Sequence, residues 1–533
     1  MGRPEESFRP SPTVEEYDHT RSKGRRFKIA LVALFALGIL SQHGDGISDA
    51  LAWARNTFTP LPSDPLLRAH ALLRRSPLIG KHHAMSELRV PTHVILGPIR
   101  IYSLTDGHLD VPILAREAFR NQISEIDLEK PTRGQIDIPR LRAGGVGGMM
   151  WSVYVPCPED AGYPKDNDGN FTTSTWRTRD TLEQIDIAHL LIAKHSDTFE
   201  YTPTAKSWKK AMRKGKIGGM LGVEGGHQLG NSLSSLRTYY ALGARYLTLT
   251  HTCHNALADS CGYQGAPLKP RWGGLSSFGK TAVKEMNRLG MMLDLSHTDP
   301  STASDALTLS LSPPIFSHSN ARGVHAAVRN VPDSILRRIG ATSNRSHCHR
   351  KHLADASSAL DGEGGLGWGN DTDEATKPVP SGRQKLFIQL LLRASSLFIT
   401  TLGDSLIMLN FSPGFVSEWD DGSPGGVRAN VSSVADHADY IGRLAGREHV
   451  GIGSDFDGIA NVPEGLEDAS KYPALIAELI TRGWSDLEIK GLTGGNFLRI
   501  IEKVERVAHK LRHALPETEI FEGRTDMQKH EWW

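Results

Sequence analysis

Short apolar runs and amphipathic stretches alternate along the chain from about residue 135 onward. The apolar runs have the length of strands, and the stretches between them have the period of helices. Strands are predicted at Val146–Val155, Ile217–Val223, Tyr246–Thr250, Met291–Leu295, Pro314–Phe316, Leu406–Phe411 and Val450–Gly453. Helices are predicted at Thr181–His195, Leu233–Leu242, Lys280–Leu289, Pro332–Ile339 and Val434–Leu444. This alternation is typical of parallel strands joined by crossover helices. About eight units fit between residues 105 and 510, which favours an α/β fold closed into a (β/α)8 TIM-like barrel.

A polar residue with metal-binding or acid–base chemistry follows each of five apolar runs. These residues are Glu224, His251, His297, His318 and Asp455. The active sites of (β/α)8 barrels lie at the carboxyl ends of the strands. A single residue of this kind is most often an ordinary surface or core residue. Five of them at equivalent strand ends predict one shared site.

A further motif, Asp106-Gly-His-Leu-Asp110, precedes all of these runs. His108 and Asp110 are two residues apart, so a strand places both side chains on one face, where they can bind the same metal ion. The candidate metal ligands are His108, Asp110, Glu224, His297 and His318. Three imidazoles and two carboxylates are the ligand set of a two-metal hydrolase. These ligand types alone admit zinc, manganese or cobalt.

Composition excludes several other classes of protein. The 533 residues include 61 Lys and Arg against 60 Asp and Glu, so no charge excess points to a nucleic-acid partner. The four cysteines are Cys157, Cys253, Cys261 and Cys348. None of them forms a CxxC pair, which excludes thiolate zinc ribbons and thioredoxin-like redox chemistry.

The amino terminus carries a localisation signal. A basic stretch, Arg21-Ser-Lys-Gly-Arg-Arg26, precedes the apolar run Ile29–Leu40. This order is typical of a signal peptide or a signal anchor. Because no clear cleavage site follows, we expect an uncleaved single-pass anchor over residues 27–41. Residues 1–26 would then be cytoplasmic and the remainder luminal or extracellular. Secretion after signal cleavage is the alternative.

Glycosylation sequons agree with a luminal or secreted body, and they predict a glycoprotein. They begin at Asn170, Asn344, Asn370, Asn410 and Asn430.

The remaining organisation is a linker over residues 42–65, a barrel over residues 66–512 and a carboxyl-terminal tail over residues 513–533. Two segments interrupt the barrel pattern, residues 80–105 and residues 341–404. A connection as long as the second is unusual inside a compact domain. Its first half is rich in Gly, Ser and charged residues, so we expect it to loop out from the amino-terminal face with low order.

The chain resembles the membrane (renal-type) dipeptidases, which are zinc-dependent peptidases built on amidohydrolase-like barrels. The resemblance covers about residues 106–339 and 405–510. It rests on Asp106-Gly-His-Leu-Asp-Val-Pro112, Trp151-Ser-Val-Tyr-Val-Pro-Cys157, Gly222-Val-Glu-Gly-Gly-His227, Tyr246-Leu-Thr-Leu-Thr-His251, Asp294-Leu-Ser-His297, Phe316-Ser-His-Ser319, Arg329-Asn-Val-Pro-Asp333, Asn410-Phe-Ser-Pro-Gly-Phe415 and Gly453-Ser-Asp-Phe-Asp-Gly458. Leu109 departs from the family, which usually has Asn there. The two interrupting segments also have no counterpart in the family pattern.

The resemblance implies a residue-by-residue assignment of the site. Two zinc ions per subunit would be held by the five candidate ligands, with Glu224 bridging them, and a hydroxide shared by the metals would attack the peptide carbonyl of a dipeptide. His251 would stabilise the oxyanion. Asp455 would hold the substrate amine and pass a proton to the leaving group, and Arg329 would bind the substrate carboxylate. The resemblance also implies a disulfide between Cys157 and Cys253, and a homodimer as an open alternative to a monomer.

Two other functions stay open at this level. Another binuclear metal amidohydrolase, such as a lactonase or a deaminase, would use the same barrel, because fold alone does not decide the reaction. A catalytically inactive, membrane-tethered binding protein is the second alternative, and the intact ligand set argues against it.

Overall fold

The computed structural model describes residues 61–75, 104–157, 176–263, 265, 267–341, 404–418 and 428–522. The chain divides into two compact units, Met1–Pro62 and Ser63–Trp533. Nearly all of the first unit, including the predicted anchor at residues 27–41, lies outside the described residues. Among the helices of the described part, none is both long enough and apolar enough to cross a membrane.

Eight parallel strands of the second unit close into a barrel. The strands of the sheet are β1 (Leu104–Leu109), β2 (Val146–Tyr154), β3 (Phe199–Tyr201), β4 (Ile217–Glu224), β5 (Ala244–Thr248), β6 (Met292–Asp294), β7 (Ile315–Phe316), β8 (Leu406–Leu409) and β9 (Val450–Ile452). The barrel runs from β1 through β2 and β4 to β9, and β9 pairs with β1 through Asp106 and Ile452. The extra strand β3 pairs with the first residues of β4. The predicted (β/α)8 architecture is therefore confirmed.

Helices cover the outside of the barrel between successive strands. They are α1 (Pro65–Arg75), α2 (Val111–Phe119), α3 (Ile138–Ala143), α4 (Arg177–Lys194), α5 (Ala205–Arg213), α6 (Leu233–Ala241), α7 (Ser277–Leu289), α8 (Pro300–Leu309), α9 (residues 333–341), α10 (Pro413–Val416), α11 (Val431–Leu444), α12 (Tyr472–Thr481), α13 (Asp486–Lys490) and α14 (Asn496–Leu511). Short 3-10 turns lie at Ile123–Glu125, Gly226–Leu229, Arg447–His449 and Ala469–Lys471, and a π turn at Gly491–Gly495.

Local sequence signals set where several helices begin. The Ser276 side chain accepts a hydrogen bond from the Gly279 N–H at the start of α7. Asn430 forms a reciprocal capping pair with Ser433 at the start of α11. Polar caps of this kind satisfy backbone donors that the first helical turn leaves free. Because the caps precede the apolar periodicity, both helices begin three residues earlier than predicted.

The barrel closes around a buried carboxylate on β1. Asp106 Oδ1 accepts hydrogen bonds from the backbone N–H groups of His108, at 2.9 Å, and of Ser454, at 3.1 Å. The hydroxyl of Tyr472 on α12 donates to Asp106 Oδ2 at 2.5 Å. Asp106 is therefore a structural residue that joins the first strand to the last one, and it fixes the backbone on which His108 sits.

Glycines on the strands make room for large side chains that pack against the barrel wall. A Cβ atom added at Gly222 on β4 would lie 1.9 Å from Cζ of Tyr246 on β5, and one added at Gly148 would lie 2.2 Å from the Trp208 ring. The Tyr246 ring therefore occupies the space that a side chain at residue 222 would need. This packing directs the Tyr246 hydroxyl toward β1.

Every strand that was predicted from the sequence is present in the structure, but some of the predicted strand ends are misplaced. The carboxyl-terminal boundary predicted for the first interrupting segment, residues 80–105, is wrong, because Leu104 and Thr105 are the first residues of β1 and pair with β2. The predicted strand Tyr246–Thr250 is displaced, since β5 spans Ala244–Thr248. The hydroxyl of Thr250 donates to the carbonyl of His297 at 2.9 Å, so this residue serves the loop above the barrel. Strand β3 was not predicted, and neither were several helices, among them α8, α12 and α14.

Both ends of the long segment 341–404 meet the barrel at its amino-terminal face, at the end of α9 and ahead of β8. Its interior, residues 342–403, lies outside the described residues, and so do residues 80–103 of the earlier segment. The tail predicted at residues 513–533 is described as far as residue 522, and this part packs on the barrel. Phe521 contacts the rings of Trp272 and Phe278, with centroids 6.4 and 5.6 Å away.

The glycosylation prediction is wrong for Asn410. Its side chain is 1% exposed and its amide donates to Asp455, so a glycan cannot be attached in the folded protein. Asn430 is partly exposed and caps α11. The other three sequons, at Asn170, Asn344 and Asn370, lie outside the described residues.

Candidate active site

The five predicted metal ligands converge at the carboxyl ends of four barrel strands. His108 lies near the end of β1, with Asp110 directly after the strand, and Glu224 is the last residue of β4. His297 and His318 lie in the loops that follow β6 and β7. All five side chains are buried. Strands that are far apart in sequence therefore place them within a few ångströms of each other.

A first ligand cluster consists of His108, Asp110 and one oxygen of Glu224. His108 Nε2 lies 3.4 Å from Asp110 Oδ2 and 3.4 Å from Glu224 Oε2. His108 Nε2 and Asp110 Oδ1 are buried and have no hydrogen-bond partner among the described residues. Asp110 also precedes α2 at the capping position, yet its side chain does not cap the helix. Buried polar atoms without partners that face one another are suited to a bound cation.

A second cluster consists of the other oxygen of Glu224 with His297 and His318. Glu224 Oε1 lies 3.1 Å from Nε2 of each histidine, and the two Nε2 atoms are 3.0 Å apart. The two carboxylate oxygens of Glu224 thus face different clusters. This is the arrangement that a ligand shared between two metal ions requires. The donor atoms are nitrogen and oxygen, which fits zinc as well as manganese or cobalt.

Electrostatics favour the protonation states that metal ligands need at three of these positions. Burial lowers the pKa of His297 and of His318 well below the usual value, and the cation of Arg329 lowers both further. Desolvation alone would raise the pKa of Glu224, but the charged His108 beside it holds that pKa well below its usual range. Two neutral imidazoles and an ionised carboxylate result.

His108 differs from the other two histidines. Burial would lower its pKa, but Tyr246, Glu224 and Asp110 together raise it well above the usual value. Without a cation nearby, this imidazole is therefore protonated on both nitrogens and carries a positive charge. A metal ion must displace that proton, because only the neutral imidazole is a ligand.

Hydrogen bonds from the surrounding shell orient two of the three histidines. The Ser317 hydroxyl donates to Asp294 Oδ2 at 2.6 Å and lies 2.7 Å from His318 Nδ1. Its lone pair therefore accepts the Nδ1 proton and leaves His318 Nε2 free for a metal. On the other side, Tyr246 Oη lies 2.8 Å from His108 Nδ1. Sequence analysis missed these residues, although polar side chains next to apolar strands were a usable signal.

His297 is oriented through its backbone. It adopts a left-handed conformation with φ of 65°, which is strained for a residue with a Cβ. Its carbonyl accepts hydrogen bonds from the Thr250 hydroxyl at 2.9 Å and the Cys261 N–H at 3.0 Å. These two donors hold the strained turn in place.

Arg329 has an unusual environment beside the second cluster. Its side chain is 4% exposed, and its Nη2 donates to the carbonyl of His318 at 3.3 Å. Its Nε and Nη1 are buried without a hydrogen-bond partner among the described residues. The guanidinium carbon lies 5.3 Å from the centre of the Phe415 ring. These unused N–H donors can bind a carboxylate, and the second N–H of Nη2 completes a bidentate pair with either Nε or Nη1.

Asp455 lies next to the first cluster. Ligand atoms of His108, Asp110 and Asp455 are all within 4.8 Å of one another, so Asp455 is close enough to act as a further ligand. The amide of Asn410 donates to Asp455 Oδ2 at 2.8 Å. Desolvation, together with the charges of Asp110 and Glu224, raises the pKa of Asp455 to about 8.

The predicted His251 lies at the rim of the second cluster. Its ring centre is 4.2 Å from that of His297 and 4.7 Å from that of Tyr154. A ligand atom of His251 lies within 4.8 Å of Glu224 and His297. The residue is partly exposed, so it faces the space from which a substrate would approach.

A disulfide joins two loops above the barrel. Cys157, after β2, is bonded to Cys253, in the loop after β5, with an S–S distance of 2.03 Å. His227 Nδ1 lies 3.9 Å from Cys157 Sγ, but both sulfurs are already used in the disulfide, so these three residues do not form a metal site. Cys261 is a buried free thiol, and Cys348 lies outside the described residues.

A parallel (β/α)8 barrel with a shared carboxylate and three imidazoles at its carboxyl end defines the class of metal-dependent hydrolases. The family model described as membrane dipeptidase (Peptidase family M19) matches residues 99–344 and 399–515. The chain belongs to this family and is a metallo-dipeptidase. The match pauses between residues 344 and 399, inside the long segment 341–404.

Solved structures share this fold at low sequence identity. The dipeptidase AC, a metallopeptidase, superposes with a TM-score of 0.57 at 23% identity, covering 76% of this chain and 99% of that one. A metallopeptidase from Rhodobacter sphaeroides liganded with a phosphinate mimic of the dipeptide L-Ala-D-Ala gives 0.55 at 23% identity, with coverages of 75% and 99%. The probable dipeptidase PvdM from Pseudomonas aeruginosa gives 0.52 at 21% identity, with coverages of 76% and 96%.

We predict that Ser317→Ala weakens metal binding, because His318 Nδ1 loses the acceptor that fixes its orientation. Loss of such a partner typically costs about 10- to 100-fold in metal affinity. Competition against a chelator of known affinity measures the change. Ser312→Ala is the matched control, since Ser312 is also buried and its hydroxyl has no hydrogen-bond partner among the described residues. Equal affinities for the two variants would contradict the role of Ser317.

Proposed function

We propose that the protein is a zinc-dependent dipeptidase with two metal ions per subunit. The observation that carries this proposal is the placement of Arg329, with two unpaired buried donors, beside the second ligand cluster and of Asp455 beside the first. A cation and a carboxylate flanking a hydrolytic centre suit a short substrate with a free amine and a free carboxylate. Membership of the dipeptidase family supports the same substrate class.

His108, Asp110 and Glu224 would hold one zinc ion, and Glu224, His297 and His318 the other. Bound zinc would supply Lewis acidity and lower the pKa of a coordinated water from 15.7 toward about 7. The fit rests on the buried, unpartnered atoms of His108 and Asp110 and on the divided orientation of the Glu224 oxygens.

The residues around the metals would bind and orient the substrate. Arg329 would take the substrate carboxylate through the unused N–H donors of its planar guanidinium, a geometry that Lys cannot reproduce. Asp455 would accept a hydrogen bond from the substrate amine and deliver a proton to the leaving nitrogen. His251 would donate a hydrogen bond to the oxyanion that develops on the scissile carbonyl. Recognition of both termini would limit the substrate to two residues.

A lactonase or deaminase on the same barrel would have no use for a buried cation that binds a terminal carboxylate. Turnover of a dipeptide panel, measured beside a lactone panel, distinguishes these readings directly. Preference for lactones would overturn the assignment of substrate class.

We predict that Glu224→Gln loses both bound metal and dipeptide hydrolysis, because the amide offers one oxygen where the carboxylate offers two charged ones. Elemental analysis and turnover of a simple dipeptide measure the two effects. Full activity in this variant would rule out a shared carboxylate.

We predict that Arg329→Lys raises KM for dipeptides, since a point charge replaces a bidentate donor. The expected loss is on the order of 1–3 kcal/mol, the range for a hydrogen bond to a charged group. Dipeptide amides lack the carboxylate and are the matched control substrates. They should be hydrolysed almost equally by the wild type and the variant, and equal losses on both substrates would contradict the assignment.

We propose that residues 27–41 anchor the enzyme in a membrane with the barrel on the luminal or external side. The basic stretch ahead of an apolar run supports this orientation. Deleting residues 1–45 should release a soluble and active enzyme, which is measured by fractionation after a carbonate wash. A truncated protein that still sediments with membranes would contradict the proposed anchor.

A further inference from the structure

The turn that carries Asp455 is strained and crowded. Asp455 and Asp457 both have φ of 68°, a conformation that residues with a Cβ rarely adopt. The next residue, Gly458, lies against the carboxylates of the site. A Cβ added there would be 2.3 Å from Asp110 Oδ2 and 2.8 Å from Asp455 Oδ1. Because this conformation is unfavourable for a residue with a Cβ, other contacts must hold this turn.

A loop from the beginning of the barrel supplies those contacts. The Gln135 N–H donates to Asp457 Oδ1 at 2.5 Å, and the Asp457 N–H donates to Gln135 Oε1 at 2.7 Å. The Gln135 side-chain amide also donates to the carbonyl of Ile459 at 3.2 Å. We call this set of hydrogen bonds the 135–457 clasp. Its hydrogen bonds reach the backbone of the turn at two residues and the side chain of Asp457.

The loop that carries Gln135 is itself fixed on the barrel. The Gln135 carbonyl accepts the Ala469 N–H at 3.2 Å. Asp137, two residues further on, is buried, caps α3 and pairs with Arg140. Gly134 leaves room for the Asp457 carboxylate, since a Cβ added at that glycine would lie 2.2 Å from Asp457 Oδ1. The clasp therefore ties the strained turn to a rigid support.

We infer that Gln135 and Asp457 are positioning residues that hold the Asp455 carboxylate in place for the substrate amine. This inference rests on the proposed role of Asp455. The Asn410 amide donates to one oxygen of this carboxylate, and the clasp holds the backbone two residues further along the turn. Without the clasp, the two left-handed residues relax, and Asp455 moves relative to the metal-ligand cluster. None of the five metal ligands is part of the clasp.

The test compares a ligand that has the amine with one that lacks it. Alanyl-alanine is the substrate, and propionyl-alanine, the same molecule with hydrogen in place of the amino group, is the competitive inhibitor. Gln135→Met keeps the length of the side chain but removes its hydrogen-bonding groups, and Asp457→Ala removes the acceptor. Both should raise KM for alanyl-alanine roughly tenfold while changing Ki for propionyl-alanine less than about twofold. Metal content should not change.

Two variants serve as controls. Asp457→Asn keeps an oxygen that can accept the Gln135 N–H, so it should restore nearly wild-type KM. Thr132→Ala lies on the same loop and removes a hydrogen bond to the carbonyl of Ile136, which stays within that loop. It should leave both constants unchanged. If Asp457→Ala does not fold, the partly exposed Gln135→Met carries the test alone.

A proportional change of KM and Ki in the clasp variants, or no change in either constant, overturns the inference. Asp455→Asn, measured in the same way, separates this failure from failure of the proposed function. If Asp455→Asn discriminates between the two ligands and the clasp variants do not, the positioning role is wrong. If Asp455→Asn does not discriminate either, Asp455 does not bind the amine.

Discussion

One buried carboxylate, Glu224, determines how the rest of the site is built. Its two oxygens face different groups of ligands, and each oxygen is within 3.4 Å of an imidazole nitrogen. A desolvated carboxylate is costly unless positive charge or hydrogen-bond donors surround it. In the absence of a cation the proton on His108 meets part of this need, and in the metal-loaded enzyme the ions would meet it. The strand ends, the strained turn at His297 and the partners of His318 all act to keep the imidazoles in reach of this one group.

The barrel and the ligand positions were predictable because each depends on short stretches of sequence. A parallel strand buried on both faces is apolar throughout, and the residue that follows it lies at a known end of the barrel. His318, two residues after β7, and Glu224, at the end of β4, carry that signal in their immediate neighbours. The disulfide between Cys157 and Cys253 was available only through the family resemblance, since spacing alone does not pair cysteines.

The residues that orient the ligands could not be predicted in the same way. Tyr246 and His108 are 138 residues apart, and Gln135 and Asp457 are 322 residues apart, so their contacts exist only once the barrel has closed. The left-handed conformation of Asp455 also has only a weak local signal, because Asp visits this region more often than most residues but still uncommonly. The end of the strand predicted at Tyr246–Thr250 was misplaced because of another contact between residues far apart in sequence. Thr250 has high strand propensity, yet its hydroxyl is committed to the loop that supports His297.

The packing of Tyr246 over Gly222 has a consequence for how this family of sequences can diverge. A side chain at residue 222 would collide with the tyrosine ring, and a smaller residue at 246 would leave His108 Nδ1 without its partner. A substitution at either position alone would therefore disturb the metal centre. Natural variants should keep the two positions together or exchange both in concert, so that a residue which never meets a metal ion or a substrate is under the same selection as one that does.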